Sequence, residues 1–142
     1  MAYASTTQIQ IAAGGADRYV QVFDWDADGV ADATVLAQIS AEADAWIDSY
    51  AGRRYAVPIE SPSQVLTLHA AEEVVYRALS KRGMAGPEAD KRHEQRVQWL
   101  RDLSAGKVVP TDPPPTKAST ATTAWVDRAD DDTSREGWKG FW

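Results

Sequence analysis

One stretch of the sequence, residues 24–55, most constrains how this chain can fold, because it joins an acidic loop to an amphipathic helix. The apolar residues after the loop recur at steps of three and four, which places them on one face of a helix. They are Val35, Leu36, Ile39, Ala43, Trp46, Ile47 and Tyr50. Asp44 and Asp48 fall on the opposite face, and Gly52 ends the pattern. The spacing predicts a helix from about Asp32 to Ala51 that acts as the central packing element, with Trp46 in the core.

The loop before this helix carries aspartates at alternate positions around Gly29. This arrangement resembles the first half of the calcium-binding loop of EF-hands. The ligands that the resemblance implies are Asp24, Asp26, Asp28, the Val30 carbonyl and Asp32. The twelfth position, where EF-hands carry a bidentate glutamate, is Val35 here. The loop is therefore either a calcium site or a capping device, in which Asp32 caps the helix and the other aspartates lie near its positive end.

The rest of the first 106 residues predicts further helices and no strands. A first helix is expected over Tyr3–Ala13, whereas Asp17–Phe23 reads either as a helical turn or as a short extended piece. A third helix is expected from a Ser61 cap to about Arg82, and a fourth from about Pro87 to Ala105. The apolar face expected for the third helix comprises Val65, Leu68, either Glu72 or Val75, Tyr76 and Leu79. The predicted fold class is all-α, with a small four-helix-type domain over residues 1–106.

Residues 107–142 have a different composition and are expected to form a long extended C-terminal arm. The segment begins with a proline-rich run, which cannot be helical, and continues with a Ser/Thr/Ala-rich run. Four isolated aromatic residues follow, of the types most often found as anchors in protein interfaces. They are Trp125, Trp138, Phe141 and Trp142. The arm is therefore predicted to bind a partner.

Composition excludes several classes of function. The chain of 142 residues has no cysteine, so it can hold no disulfide, thiolate nucleophile or cysteine-based zinc site. Its net charge of -6 argues against an ordinary nucleic-acid-binding domain, and no apolar run approaches membrane-spanning length. His69 reads as a partly buried packing residue and His93 as part of a solvated face. Because no catalytic constellation is recognisable, the chain is not expected to be an enzyme.

The charges are unevenly distributed along the chain. Residues 1–60 hold nine acidic and three basic residues, whereas residues 61–110 hold six acidic and eight basic residues. The basic residues of interest on the third and fourth helices are Arg77, Lys81, Arg82, Lys91, Arg92 and Arg96. They read either as ordinary solvated faces balanced by neighbouring glutamates, or as contacts to passing DNA or to an acidic neighbour.

Four motifs in a fixed order resemble those of the Mu-like phage and prophage family of small head–tail connector, or adaptor, proteins. They lie at Asp24–Asp32, Ala43–Tyr50, Arg54–Pro58 and Trp99–Gly106. The resemblance covers roughly residues 3–106 and not the arm. It implies a virion protein of the phage neck, assembled in the bacterial cytoplasm. It also implies a homo-oligomeric ring, commonly of twelve subunits, which lies beneath the portal protein, adjoins other neck or tail proteins and lets DNA pass through its channel.

Two other classes of protein fit the same sequence. One is a head-completion or tail-terminus protein, which would occupy the next ring of the virion. The other is a stand-alone calcium-binding interaction module in a bacterial host. A closed ring or a portal complex would favour the adaptor, whereas a monomer with tight calcium affinity would favour the module.

Overall fold

The computed structural model describes residues 2–112, which form five α-helices and no strand. They are α1 (Thr6–Ala13), α2 (Ala16–Phe23), α3 (Ala33–Ala51), α4 (Gln64–Lys81) and α5 (Pro87–Ser104). The all-α prediction is therefore confirmed. The four aromatic residues of the predicted arm, Trp125, Trp138, Phe141 and Trp142, lie outside the described residues.

The helix that the sequence left undecided is α2. Its buried residues are Tyr19, Val22 and Phe23, and steps of three and four place Tyr19 beside both of the others on one face. The rings of Tyr19 and Phe23 lie 5.1 Å apart, between centroids. Residues 2–112 thus contain one helix more than the four predicted, because a run of eight residues is long enough to bury one apolar face.

The central packing element is α4, and the prediction that α3 would hold this place is wrong. α4 packs against each of the other four helices, whereas the main partners of α3 are α4 and α5. The buried face of α4 includes Ala70, Ala71 and Ala78, whose short side chains let neighbouring helices approach closely. Because small side chains lie on several of its faces, α4 can contact several helices at once, whereas a helix with one row of large apolar residues packs mainly along that row.

The apolar face predicted for α4 is also wrong at its first turns. Val65 is 47% exposed and Leu68 is 54% exposed, whereas Leu66 and Val74 are buried. The helix begins at Gln64 rather than near Ser61, because Ser63 provides the cap: its Oγ accepts a hydrogen bond of 3.1 Å from the amide of Leu66. Ser5 caps α1 and forms a reciprocal capping box with Gln8.

On α3, Ile39, Ala43 and Ile47 are buried as predicted. Trp46 is only partly buried and packs at the margin of the core. Its ring stacks on that of His93 at 5.4 Å and meets the ring of Tyr50 edge-on at 5.7 Å. The expectation that Trp46 is a buried core residue is therefore wrong, since its ring packs between His93 of α5, Arg77 of α4 and Tyr50 at the edge of the core.

The chain stays on the helical unit after α5. The amide of Ser63 donates to the Pro110 carbonyl at 2.7 Å, and the Tyr55 hydroxyl donates to the Val108 carbonyl at 3.4 Å. Pro110 is buried. This unit comprises Met1–Asp112, so it reaches beyond residue 106, where the arm was expected to begin. Within residues 2–112, no helix combines the length and apolar character needed to cross a membrane.

Candidate functional site

The acidic loop brings three of its aspartates together. Asp24, Asp26 and Asp28 each offer a carboxylate oxygen, and these oxygens lie within 4.8 Å of one another. Gly29 has a φ of +84°, which gives the loop the sharp turn that the sequence predicts. Three oxygen ligands at this spacing fit a hard divalent cation such as calcium.

Backbone amides of the same loop also donate hydrogen bonds to these carboxylates. Both oxygens of Asp24 accept hydrogen bonds, from the amide of Asp28 at 3.1 Å and from the amide of Gly29 at 2.8 Å. Asp28 accepts from the amide of Val30 at 2.9 Å. These bonds fix the loop in shape before any ligand arrives.

Asp32 lies apart from the three clustered carboxylates. It occupies the N-cap position of α3, but its side chain makes no capping hydrogen bond there. Its Oδ2 instead accepts from the amide of Trp25 at 2.9 Å, and its own amide donates to the Phe23 carbonyl at 2.9 Å. Asp32 therefore closes the base of the loop. Although it was predicted as a ligand, Asp32 does not join the cluster of Asp24, Asp26 and Asp28. Its side chain does not cap the helix either.

The pKa values of the clustered aspartates diverge. Partial desolvation, a hydrogen bond to Asp24 and the charges of Asp28 and Asp32 raise the pKa of Asp26 above its ordinary value. Desolvation acts in the same direction on Asp24, but the amides of Gly29 and Asp28 outweigh it and leave the pKa of Asp24 lowered. Ionised Asp26 is thus disfavoured by its neighbours, and a bound cation would relieve that repulsion.

Most of the basic residues predicted to contact DNA or a neighbour have partners within the chain. Arg77 and Lys81 approach the Glu42 carboxylate at 3.9 and 3.3 Å. Arg82 donates to the carbonyls of Gln21 and Val22, at 2.7 and 3.3 Å, and so ties the end of α4 to α2. Lys91 and Arg92 are exposed on α5.

Arg96 does not fit the predicted surface contact, because it is 3% exposed and pairs with a buried carboxylate. That carboxylate belongs to Glu73 of α4, which is 0% exposed. Glu73 accepts from Arg96 Nε at 3.0 Å and from Arg77 Nε at 2.9 Å. His93 Nδ1 lies 3.0 Å from the same Glu73 oxygen that Arg96 contacts. The cluster joins α4 to α5 through one fully buried charge.

His93 is partly buried, so its predicted place on a solvated face is wrong. Its ring stacks on Tyr76 at 4.4 Å and 9° as well as on Trp46 at 5.4 Å. His69 is a packing residue, as expected: its ring lies 4.7 Å from that of Trp99, and burial lowers its pKa.

Glu73 was interpreted only as one of the glutamates that balance a solvated face, although the sequence carries a signal of its burial. Glu72 and Glu73 lie between small and branched apolar residues in the stretch 70–75, and Glu73 stands four residues before Arg77. A carboxylate inside an apolar run is rarely buried unless a cation pairs with it. The cations that pair with Glu73 are Arg77 on the same helix and Arg96 on α5.

Comparison with known proteins identifies a family. The family model described as Bacteriophage Mu, Gp36 matches residues 3–127. The match includes all five helices and continues past residue 106, where the resemblance of the four motifs ended. No curated protein matches the chain significantly in sequence. Because the family model covers most of the chain, this phage protein belongs to the bacteriophage Mu Gp36 family.

Proposed function

We propose that this protein is a structural head–tail connector, or adaptor, in the neck of a tailed phage. The observation that supports this most directly is the family match over residues 3–127, which indicates a structural or morphogenetic phage protein. The proposed role is non-catalytic. The helical unit would act through its binding surfaces, and its buried charged residues, Glu73 and Arg96, form ion pairs. The protein resides in the virion after assembly in the bacterial cytoplasm.

In this proposal, copies of the chain form a closed ring, of twelve subunits, beneath the portal protein. DNA passes through the channel of the ring. Lys91 and Arg92 are the basic residues best suited to face the DNA or a neighbouring subunit, because they are exposed on α5. Arg77, Lys81 and Arg82 are weaker candidates, since acidic groups or backbone carbonyls of the same chain already bind them.

The arm is proposed to join this ring to the portal or to other neck and tail proteins. Its aromatic residues, Trp125, Trp138, Phe141 and Trp142, are the proposed anchors. The three prolines at residues 113–115 restrict the free chain and so reduce the entropy lost when the arm binds.

A phage that carries this gene tests the proposal directly. Deletion is expected to yield filled heads and separate tails, and supplying the protein from a plasmid should restore joined particles. Electron microscopy of the lysate distinguishes the two states. Normally joined particles after deletion would contradict the proposal. If deletion instead yields heads that carry a neck and lack only the tail, the protein is better explained as a head-completion or tail-terminus protein.

The acidic loop favours a second candidate, a calcium-binding interaction module. The specific observation is the convergence of the Asp24, Asp26 and Asp28 carboxylates. A monomer that binds calcium tightly and is absent from purified virions would support this candidate over the adaptor.

A further inference from the structure

A cavity of about 450 Å³ lies among α1, α2, α4 and α5. Part of its wall is apolar and comes from Val22, Val75 and Leu79. The cavity lies outside the acidic loop, and Arg92 is the one lining residue to which the proposed function gives a contact role.

Charged residues of both signs also line this cavity. Arg18 of α2 and Arg92 and Arg96 of α5 contribute three positive charges, and Glu72 and Glu88 contribute two negative ones. The lining therefore carries a net positive charge, in a protein whose net charge is -6.

Arg96 is the residue that points to a ligand. Its Nε donates to Glu73 at 3.0 Å and its Nη1 to Glu72 at 3.4 Å, whereas its Nη2 is buried and has no hydrogen-bond partner. The guanidinium carbon lies 5.6 Å from the centre of the Tyr76 ring, which offers a π face but no lone pair. A buried donor without an acceptor costs free energy. An incoming carboxylate would supply the missing acceptor to Nη2 through a charge-assisted hydrogen bond.

We infer that this cavity binds a carboxylate side chain from the stretch Trp125–Asp132 of a second copy of the chain. This inference rests on the proposed assembly of copies side by side. The stretch holds Asp127, Asp130, Asp131 and Asp132 close to Trp125 and Val126. It therefore combines the negative charge and the apolar groups that the arginines and the apolar wall would accept. A chain of phosphates fits less well, because it offers no apolar side chain to the wall formed by Val22, Val75 and Leu79.

A peptide-binding experiment tests the inference. The probe is a fluorescein-labelled peptide of residues 124–133. The receptor is the full chain with Asp127, Asp130, Asp131 and Asp132 each changed to Asn, so that its own stretch does not compete. Fluorescence anisotropy at low salt measures the dissociation constant. We expect saturable binding, and binding at least about ten-fold weaker for a peptide with Asn in place of every Asp.

Substitutions in the receptor locate the bound peptide. Arg96→Lys should weaken binding at least about ten-fold, because lysine lacks the buried Nη2 donor that the carboxylate would accept from. Arg92→Gln, on the exposed side of α5, should weaken it by about two- to five-fold and carries no risk to the core. Arg101→Gln is the matched control, an exposed arginine of the same helix outside the cavity, and should leave binding unchanged.

The inference is overturned if the Asp peptide does not bind, if the Asn peptide binds equally well, or if Arg101→Gln has the effect of Arg92→Gln. Displacement of the peptide by a short DNA duplex at equal charge concentration would assign the site to nucleic acid and overturn it as well. The adaptor proposal is tested separately: a phage whose heads and tails join only when this protein is present keeps that proposal, even if the peptide fails to bind.

Discussion

The contribution of Asp26 to folding stability should depend on whether a cation is bound. Its pKa is raised mainly by desolvation within the loop, with further contributions from Asp24, Asp28 and Asp32. A raised aspartate pKa means that its ionised form opposes folding, and this cost is present at neutral pH and falls as the pH drops through the folded pKa. A bound divalent cation would reverse the sign of that contribution.

We therefore expect Asp26→Asn to have opposite effects with and without calcium. In chelator, the neutral side chain removes repulsion and should leave the melting temperature unchanged or slightly higher. In calcium, the variant loses a ligand and should melt below the wild type. Differential scanning fluorimetry measures both, with Glu60→Ala, an exposed acid outside the loop, as control. If calcium stabilises wild type and Asp26→Asn equally, the loop only shapes the entry to α3.

Tyr3 offers a second residue-scale prediction, on the alkaline side. Its hydroxyl donates to Asp48 of α3 and accepts from the amide of Ile59 at 2.9 Å. Burial, followed by the bond to Asp48, raises the pKa of Tyr3 to about 12. Because the folded pKa exceeds the unfolded value of 10.0, the stability contribution is complete below that value and is lost as the pH rises through the folded pKa.

Tyr3→Phe should remove part of this alkaline loss. The variant also leaves the Ile59 amide and Asp48 without a partner, which should cost about 1–3 kcal/mol at neutral pH. Urea unfolding at several pH values between about 9 and 12 gives both quantities. Tyr19 and Tyr76 also have raised pKa values, so some alkaline loss should persist in the variant. An identical pH slope in wild type and variant would refute the role assigned to Tyr3.

At the scale of elements, the contact between α4 and α5 depends on the buried pair Glu73–Arg96. The two side chains are 0% and 3% exposed, so removal of Glu73 leaves the buried Arg96 with only the longer contact to Glu72 at 3.4 Å. Breaking such a pair usually costs far more than the pair itself contributes to stability.

Glu73→Ala is expected to destabilise the fold by about 3–5 kcal/mol, measured by urea unfolding. Glu72→Ala is the matched control, since Glu72 is the next residue and contacts the same arginine from a more exposed position; it should cost less than about 1 kcal/mol. The double variant Glu73→Leu/Arg96→Leu should recover part of the loss. Equal costs for Glu72→Ala and Glu73→Ala would show that the buried charge is not the reason.

The same helix pair shows what the sequence could and could not predict. Periodicity located α3, α4 and α5 well, because large apolar residues at helical spacing are a strong signal. It failed to identify the buried face of α4, where alanines and Glu73 are buried and Val65 and Leu68 are exposed. Hydropathy alone cannot rank alanine above leucine for burial, since that choice depends on how closely the neighbouring helices approach. The pairing of Arg96 with Glu73 could not be predicted either, because it depends on how α4 and α5 pack against each other.

For the whole molecule, the aspartate cluster was predictable and the cavity was not. Alternate spacing within one short loop predicts that Asp24, Asp26 and Asp28 meet, but it also included Asp32, which lies apart. The cavity, in contrast, is assembled from four helices, and its arginines come from α2 and α5. Only the packing of the complete unit brings these side chains together.

A pair of truncations tests where the helical unit ends. Residues 1–112 should unfold at the same temperature as the full chain, whereas residues 1–106 should melt lower. The shorter form loses the buried Pro110 and leaves the Ser63 amide without an acceptor, at a cost of about 1–3 kcal/mol. Calorimetry of both forms checks this, and equal melting temperatures would contradict it.

If the arm joins the neck as proposed, the 1–112 form should be folded yet unable to restore joined particles to a phage that lacks the gene. Joined particles from this form would contradict the role of the arm, and would do so without bearing on the stability of the helical unit.

The hydrogen bond between Ser63 and Pro110 has a mechanical consequence. Any tension applied to the chain beyond Asp112 reaches the helical unit first at this bond, at the start of α4. Since α4 packs against each of the other four helices, a load carried by this bond acts on the helix that contacts the whole unit, and not only on α5. A chain segment held in this way can transmit tension to the helical unit as a whole.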